Sequence, residues 1–280
     1  MSNTLKRLPH FIIIGAMKSG TTSLYRYLAE HPDIEMSREK ETDFFVAEKN
    51  WELGMDWYSS QFSSDKKVRG EASPNYTKQR DFPGVAERMH ALCPDLKLIY
   101  IVRDPVLRAV SQFKHSFIQG TLNPEIQTFY GSHEYEHIMD ASKYASQMDA
   151  YLAVYPKESI LVLDFDDLAT TPQKCMDQIT DHIGIVRHAI FRKGKQNDSV
   201  ELSRIPAPIL RFAQTRSGQR MAAMVPRNAR DKVRGLLARG KERRAPEFPA
   251  DLLATMKSEL SAETARFRAM TGHQFANWSV

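Results

Sequence analysis

The chain has 280 residues, 42% of them hydrophobic and 26% charged, with a net charge of +5. Those proportions suit a folded globular chain and exclude a disordered or fibrous one; a chain this long buries enough surface to need no covalent staples. Its two cysteines, Cys93 and Cys175, rule out a disulfide framework and make a reducing compartment the expectation. No Cys/His cluster has zinc spacing, so no metal is expected.

At the N-terminus, Lys6 and Arg7 lead into only four strongly apolar residues, Phe11 to Ile14, too few for a secretory segment. No run is long enough to span a membrane, and a cytoplasmic location is the expectation. Phe11-Ile12-Ile13-Ile14, closed by Gly15, predicts a strand buried on both faces. Residues 22–31 predict a helix with Leu24, Tyr27 and Leu28 on its apolar stripe, ended by His31-Pro32. The aromatic stretch 51–62 reads as a loop. Leu98 to Val102 predicts a second buried strand, and Pro105 opens the next helix. Residues 120–140 read as an irregular excursion. Ile160 to Leu163 is a third strand, followed by a helix over Pro172–Ile183. From Pro249 a long helix carries Leu253, Met256, Leu260, Phe267 and Met270 at helical spacing, with Gly272 past its end.

Strands alternating with helices imply an α/β fold, a central parallel sheet flanked by helices in three layers. Without repeats or a clear linker, one domain over 1–280 is expected. Glu201 to Arg244 holds twelve Lys+Arg against three Asp+Glu, a local +9 on a chain whose remainder carries −4. Pro206, Pro208 and Pro226 break this block into short helices at most. Over 205–245 it could be a flap over an acceptor cleft, hold an anionic polysaccharide, or make peripheral contact with an anionic membrane surface. Nucleic acid is not expected, because Phe212 alone interleaves with the arginines.

Gly15-Ala16-Met17-Lys18-Ser19-Gly20-Thr21-Thr22-Ser23 lies between the first strand and the first helix. A turn there aims backbone N–H groups at an anion, at the positive end of the helix dipole. Gly15 and Gly20 keep the spacing of the ATP-binding G-x-x-x-x-G-K-[ST] loop, but Thr21 stands where lysine belongs and the lysine is inside the loop at Lys18. A phosphate is cradled, while a γ-phosphate with magnesium is not obviously served.

This loop resembles the segment by which sulfotransferases hold the 5′-phosphosulfate of 3′-phosphoadenylyl sulfate (PAPS). Ile101-Val102-Arg103-Asp104-Pro105, with Ser111 beyond, is similar to their 3′-phosphate-binding strand and helix. Read from its own chemistry, Arg103 either grips a phosphate or pairs with a carboxylate such as Asp104. Lys40-Glu41-Thr42-Asp43-Phe44-Phe45 resembles the K-E-x-x-F-F segment of the heparan sulfate and related carbohydrate sulfotransferases, and Gly70 to Tyr76 their next strand. Leu163 to Leu168 with Pro172 resembles the family's third strand and turn. Arg192-Lys193-Gly194 falls where the family has a loop closing over the nucleotide.

The resemblance implies PAPS as donor, 3′-phosphoadenosine 5′-phosphate (PAP) as product, no metal, and a glycan or small-molecule acceptor. It implies Glu41 as general base and Lys18 on the leaving oxygen. Lys18, Ser19, Gly20, Thr21, Thr22, Ser23, Arg103, Ser111, Arg192, Lys193 and Gly194 would hold the nucleotide, and Lys40, Tyr76 and His115 would face the acceptor. The heparan sulfate enzymes carry a lysine where this chain has Ala72, often a histidine at Asp43 and often an aspartate at Val46. The alternatives are a sulfotransferase of lipids or small metabolites, a small-molecule kinase, and a non-catalytic binder using the basic block.

Overall fold

The computed structural model describes residues 7–122, 126–190, 203–215 and 242–280, with single positions at 218, 221, 237, 238 and 240. Five strands form one sheet: β1 (Phe11–Gly15), β2 (Ile34–Met36), β3 (Val68–Ala72), β4 (Lys97–Val102) and β5 (Ile160–Asp164). Their order is β2-β3-β1-β4-β5, and every pairing is parallel. The helices are α1 (Thr21–Glu30), α2 (Gly54–Ser59), α3 (Val85–Leu92), α4 (Pro105–Gln119), α5 (His133–Asp140), α6 (Tyr144–Leu152), α7 (Phe165–Thr170), α8 (Pro172–Ile183), α9 (Ala207–Gln214) and α10 (Ala250–Thr271). Among the described residues no helix is long and apolar enough to cross a membrane.

Successive strand residues face opposite sides, so a continuous apolar run feeds two cores at once. Ile12, Ile14, Leu98, Tyr100 and Val102 face one core with residues of α3 and α6 and with Phe267 of α10. Phe11, Ile13, Ile99, Ile101 and Leu163 face the other with Leu24 and Leu28 of α1 and Cys175, Met176 and Ile179 of α8. This is the expected α/β sandwich of helices around a parallel sheet. From β1 the chain goes out to the edge strand β2, returns to β3 beside β1, and then crosses to β4 and β5 on the other side. The crevice beyond the carboxyl end of β1 is therefore the place where such sheets bind ligands.

Where the sequence reads as one domain, the chain groups into two compact units, each assembled from separate stretches. The first comprises Met1–Arg108, Met139–Arg192 and Thr255–Val280 and contains the whole sheet. The second comprises Ala109–Ile138 and Lys193–Ala254. Its centre is aromatic, with Phe113 lying 4.6 Å from Phe129 and 4.9 Å from Phe248 between ring centroids. The Arg243 guanidinium ties this unit by donating to the carbonyls of Ile118 and Ile205.

Three expectations need correction. Residues 51–62 are not a loop but a 3-10 turn over Trp51–Leu53 followed by α2. The Phe44 ring stacks on Tyr58 at 4.1 Å and leans on Trp51, which gives this short segment a core to fold against. The excursion 120–140 ends in helix α5, because Tyr135, Ile138 and Met139 are buried on one side of it. The strand expected from Gly70 to Tyr76 runs instead over Val68–Ala72, and Pro74 turns the chain into a 3-10 helix to Thr77. Within the basic block the structure describes α9, and most of the remaining arginines lie outside the described residues.

Candidate active site

The candidate phosphate loop is tied to β4 at its start and turns back on itself. Ala16 N–H donates to the Ile101 carbonyl at 2.6 Å, and Ser19 N–H to Ala16 at 3.1 Å. Gly15 has no room for a side chain: a Cβ would run into Thr77 Oγ1 and the Tyr100 ring. At Gly20, φ is +92° and a Cβ would meet the Phe165 ring at 2.9 Å. Lys18 also adopts a positive φ, 69°, a conformation that non-glycine residues hold only when surroundings impose it. From behind, the fully buried Arg108 donates to the Met17 carbonyl at 3.3 Å and to Ser142 Oγ at 2.7 Å.

This loop presents donors without partners. No side chain caps the start of α1, so the first N–H groups, over Thr21, Thr22 and Ser23, point out of the helix. Ser19 is wholly buried, and its hydroxyl makes no hydrogen bond among the described residues. The cradle, the uncapped helix and the orphaned hydroxyl fit a bound phosphate.

Arg103 leaves the carboxyl end of β4 half-buried, with its guanidinium over the Phe165 ring, 4.9 Å from the centroid. It does not pair with Asp104. That carboxylate instead accepts from Leu107 N–H at 2.9 Å and Ser279 N–H at 2.5 Å. Among the described residues the Arg103 guanidinium has neither ion pair nor hydrogen bond, so it is available to an anion. The Phe165 ring thus touches both nucleotide segments recognised in the sequence.

The segment carrying Glu41 is clamped onto the end of β3. Glu41 N–H donates to the Ala72 carbonyl at 3.0 Å, and Asp43 N–H to Ser73 Oγ at 3.1 Å. Glu41 and Asp43 both have positive φ, 65° and 44°. The clamp is organised by Glu71, fully buried at the end of β3. It accepts hydrogen bonds from Thr42, from Tyr58 and Tyr76 at 2.9 Å each, and from Ser73 at 3.3 Å. Burial pushes the Glu71 carboxyl up to about 7, and the donated hydrogen bonds hold it from going higher.

Glu41 itself keeps 39% of its side-chain exposure and pairs with Lys40 at 2.5 Å. Partial burial raises its pKa, but Lys40, Lys49 and Lys78 together outweigh that and hold it below the ordinary carboxylate value. It is an ionised carboxylate at neutral pH. Neighbouring Asp43 pairs with Lys49 and accepts from Asn75 at 2.9 Å. Lys78, at the end of the turn that carries Thr77, is buried, and burial, with Lys49 and Arg108 nearby, pushes its pKa down to about 8.

The structure therefore joins Lys18, Ser19, Gly20, Thr21, Thr22 and Ser23 in one cradle. It sets Arg103 across Phe165 from that cradle, and Glu41 with Lys40 at the end of β3. Tyr76 is a correction. Its ring is 2% exposed and its hydroxyl serves Glu71, so it shapes the site from inside the core and does not face an acceptor. Ser111 and His115 sit further along α4, in the second unit. Arg192, Lys193 and Gly194 lie outside the described residues. Sequence reasoning missed Phe165, Glu71, Arg108 and Lys78. Glu71 and Phe165 lie inside the segments that carry the resemblance, without a role of their own, while nothing in the sequence marks Arg108 or Lys78.

A family model described as the sulfotransferase domain matches residues 8–223. The chain belongs to the sulfotransferase family. This sulfotransferase is 27% identical over 283 residues to human heparan sulfate glucosamine 3-O-sulfotransferase 6, covering 96% of this chain and 74% of that enzyme. It is 29% identical over 216 residues to human bifunctional heparan sulfate N-deacetylase/N-sulfotransferase 3, covering 70% of this chain but only 24% of that larger protein. Among solved structures, a sulfotransferase from Alicyclobacillus acidocaldarius superposes with a TM-score of 0.71 at 22% identity. That match covers 98% of this chain and 99% of the other. It shares the fold of a parallel sheet flanked by helices.

Proposed function

We propose that this sulfotransferase moves a sulfuryl group from PAPS to a hydroxyl or amine of a carbohydrate acceptor, with Glu41 as general base. The observation that carries the reading is an adjacency. The candidate base is clamped on the end of β3, and the phosphate cradle leaves the end of β1, which pairs with β3 from Phe11 to Ile13. Ser73 N–H donates to the Ile13 carbonyl at 3.1 Å and Thr77 fills the space beside Gly15, so base and cradle share one crevice.

When bound, the donor supplies an electrophilic sulfur: the acceptor oxygen or nitrogen forms a bond to it while the bond to the phosphate oxygen breaks, and that electron pair leaves on the phosphate. Glu41 takes the acceptor proton, which its ionised state permits. Lys18 and the N–H groups at the start of α1 hold the negative charge that builds on the phosphate. Arg103 takes the nucleotide's other phosphate by charge-assisted hydrogen bonds. The Lys40-Glu41-Thr42-Asp43-Phe44-Phe45 segment and the relatives named for heparan sulfate glucosamine support a carbohydrate acceptor. Ala72 and Val46 are buried and Asp43 is taken by Lys49 and Asn75, so acceptor contacts must come from other positions.

Thermal melting tests the donor. PAP without metal at about a hundred times its dissociation constant should add roughly 2.7 kcal/mol. Stabilisation by Mg-ATP and not by PAP would mean a kinase instead. Glu41→Gln should abolish sulfation while PAP still binds. Transfer of labelled sulfate to a panel of glycans, phenols and lipids then identifies the acceptor, and label confined to the last two would remove the carbohydrate reading.

A further inference from the structure

Three lysines act on the Glu41 carboxylate through their charge, and two of them are in ion pairs. Lys40 pairs with Glu41, and Lys49 with Asp43. Lys78 is left over. The residue is 5% exposed, and among the described residues its ammonium forms no ion pair or hydrogen bond. A cation held with so little access to solvent and no counter-ion in contact is a group that an anionic ligand can complete.

Its position says which ligand. The preceding residue, Thr77, packs on Gly15 of the phosphate cradle, and its own hydroxyl is also unpartnered. Arg108, which holds the cradle's Met17 carbonyl, and Glu41 both act on or respond to the Lys78 charge. Lys78 thus follows directly on the residue that fills the space beside the cradle, and its charge bears on the candidate base. In an in-line transfer the group in flight passes between those two.

We infer that Lys78 is a further catalytic residue, an ammonium that binds the oxygens of the transferring sulfuryl group. This rests on the donor reading given above. Lys18 would serve the phosphate side of the breaking bond and Lys78 the sulfur side, so the negative charge spread over the sulfuryl oxygens meets a cation throughout the transfer. It also gives this chain a lysine beside the base although β3 ends in Ala72.

The contrast between the two nucleotides tests it, because PAP lacks the sulfuryl group and PAPS carries it. Calorimetric titration of the wild-type chain without acceptor gives both dissociation constants. Lys78→Met should bind PAP within about twofold of wild type but PAPS roughly tenfold to a hundredfold more weakly, the loss expected for one charge-assisted hydrogen bond. Lys78→Arg should recover part of the PAPS affinity. The charged groups facing Lys78 are Glu41, Asp43, Asp81, Lys49 and Arg108. With its pKa about 8, wild-type PAPS affinity should fall as pH rises through that value, and this fall should be missing for PAP and in Lys78→Met. Equal losses for both nucleotides, or none for either, overturn the inference. A wild-type chain that binds neither nucleotide overturns the donor reading itself, a result separate from the first two.

Discussion

The Arg103 guanidinium lies over the Phe165 ring, 4.9 Å from its centroid, and the same ring is what a side chain at Gly20 would strike. One aromatic residue at the start of α7 therefore sets the spacing between the two candidate phosphate-binding segments, which are more than eighty residues apart in sequence. With no carboxylate on the guanidinium among the described residues, its role is exposed to a direct experiment. Arg103→Ala should weaken PAP binding about tenfold to a hundredfold, since a hydrogen bond to a charged group contributes roughly 1.5–3 kcal/mol. The melting temperature of the free chain should hardly move. Phe165→Leu should weaken PAP less, because it releases the arginine without removing it. Normal PAP affinity in Arg103→Ala would remove Arg103 from the site.

Gly20 and Gly184 make a matched pair. Both sit in the left-handed region, with φ of 92° and 75°, but a Cβ at Gly20 meets Phe165 at 2.9 Å whereas at Gly184 nothing lies within 4 Å. Replacing either by alanine costs the left-handed penalty, about 1–2 kcal/mol. Gly20→Ala should therefore lower the urea midpoint further than Gly184→Ala, and only Gly20→Ala should lose PAP. Equal effects of the two on PAP would mean that the cradle does not depend on close backbone approach.

Glu41 offers a pH test with a definite sign. A general base works only when ionised, so kcat falls as pH drops through its pKa. Lys40 is the nearest of the lysines that hold that pKa below 4.5 against the opposing effect of burial. In Lys40→Met, burial faces only Lys49 and Lys78. The acid limb of kcat should move to higher pH, while the limb of the wild type stays below the ordinary glutamate value. A limb that does not move in Lys40→Met, measured from pH 4 to 7, would separate Glu41 from the proton transfer.

The parts of this protein legible in its sequence are those whose physics is local. Phe11 to Ile14 announces a buried strand because four apolar residues in a row have no exposed face. The cradle announces itself because glycines at fixed spacing between strand and helix have few other uses. The helix over Pro172–Ile183 is bounded by residues that start and stop helices, Pro172 and Gly184. The remainder depends on contacts between distant segments. Nothing near Tyr76 shows that its hydroxyl is taken by Glu71, and nothing near Trp51 shows that Phe44 and Tyr58 will give that stretch a core. Lys78 looks like any solvated lysine until Pro74 and the 3-10 turn carry it inward.

Glu71 holds the Glu41 segment in place, and its titration should be visible in stability. Its pKa is about 7 in the folded chain against an ordinary 4.5. Below pH 4.5 both states are protonated, and the favourable contribution of the neutral, hydrogen-bonded carboxyl is complete. Between 4.5 and 7 the unfolded chain ionises first, so stability from this group falls as pH rises, by on the order of 3 kcal/mol in all. Above pH 7 the folded chain carries a buried carboxylate, which Thr42, Tyr58, Tyr76 and Ser73 satisfy with hydrogen bonds. Glu71→Gln stays neutral throughout while keeping an oxygen for those hydroxyls. Urea midpoints taken from pH 4.5 to 8 should slope downward in the wild type and more weakly in Glu71→Gln. Identical slopes would place the Glu71 proton outside the folding equilibrium, and the clamp on Glu41 would then owe nothing to its titration.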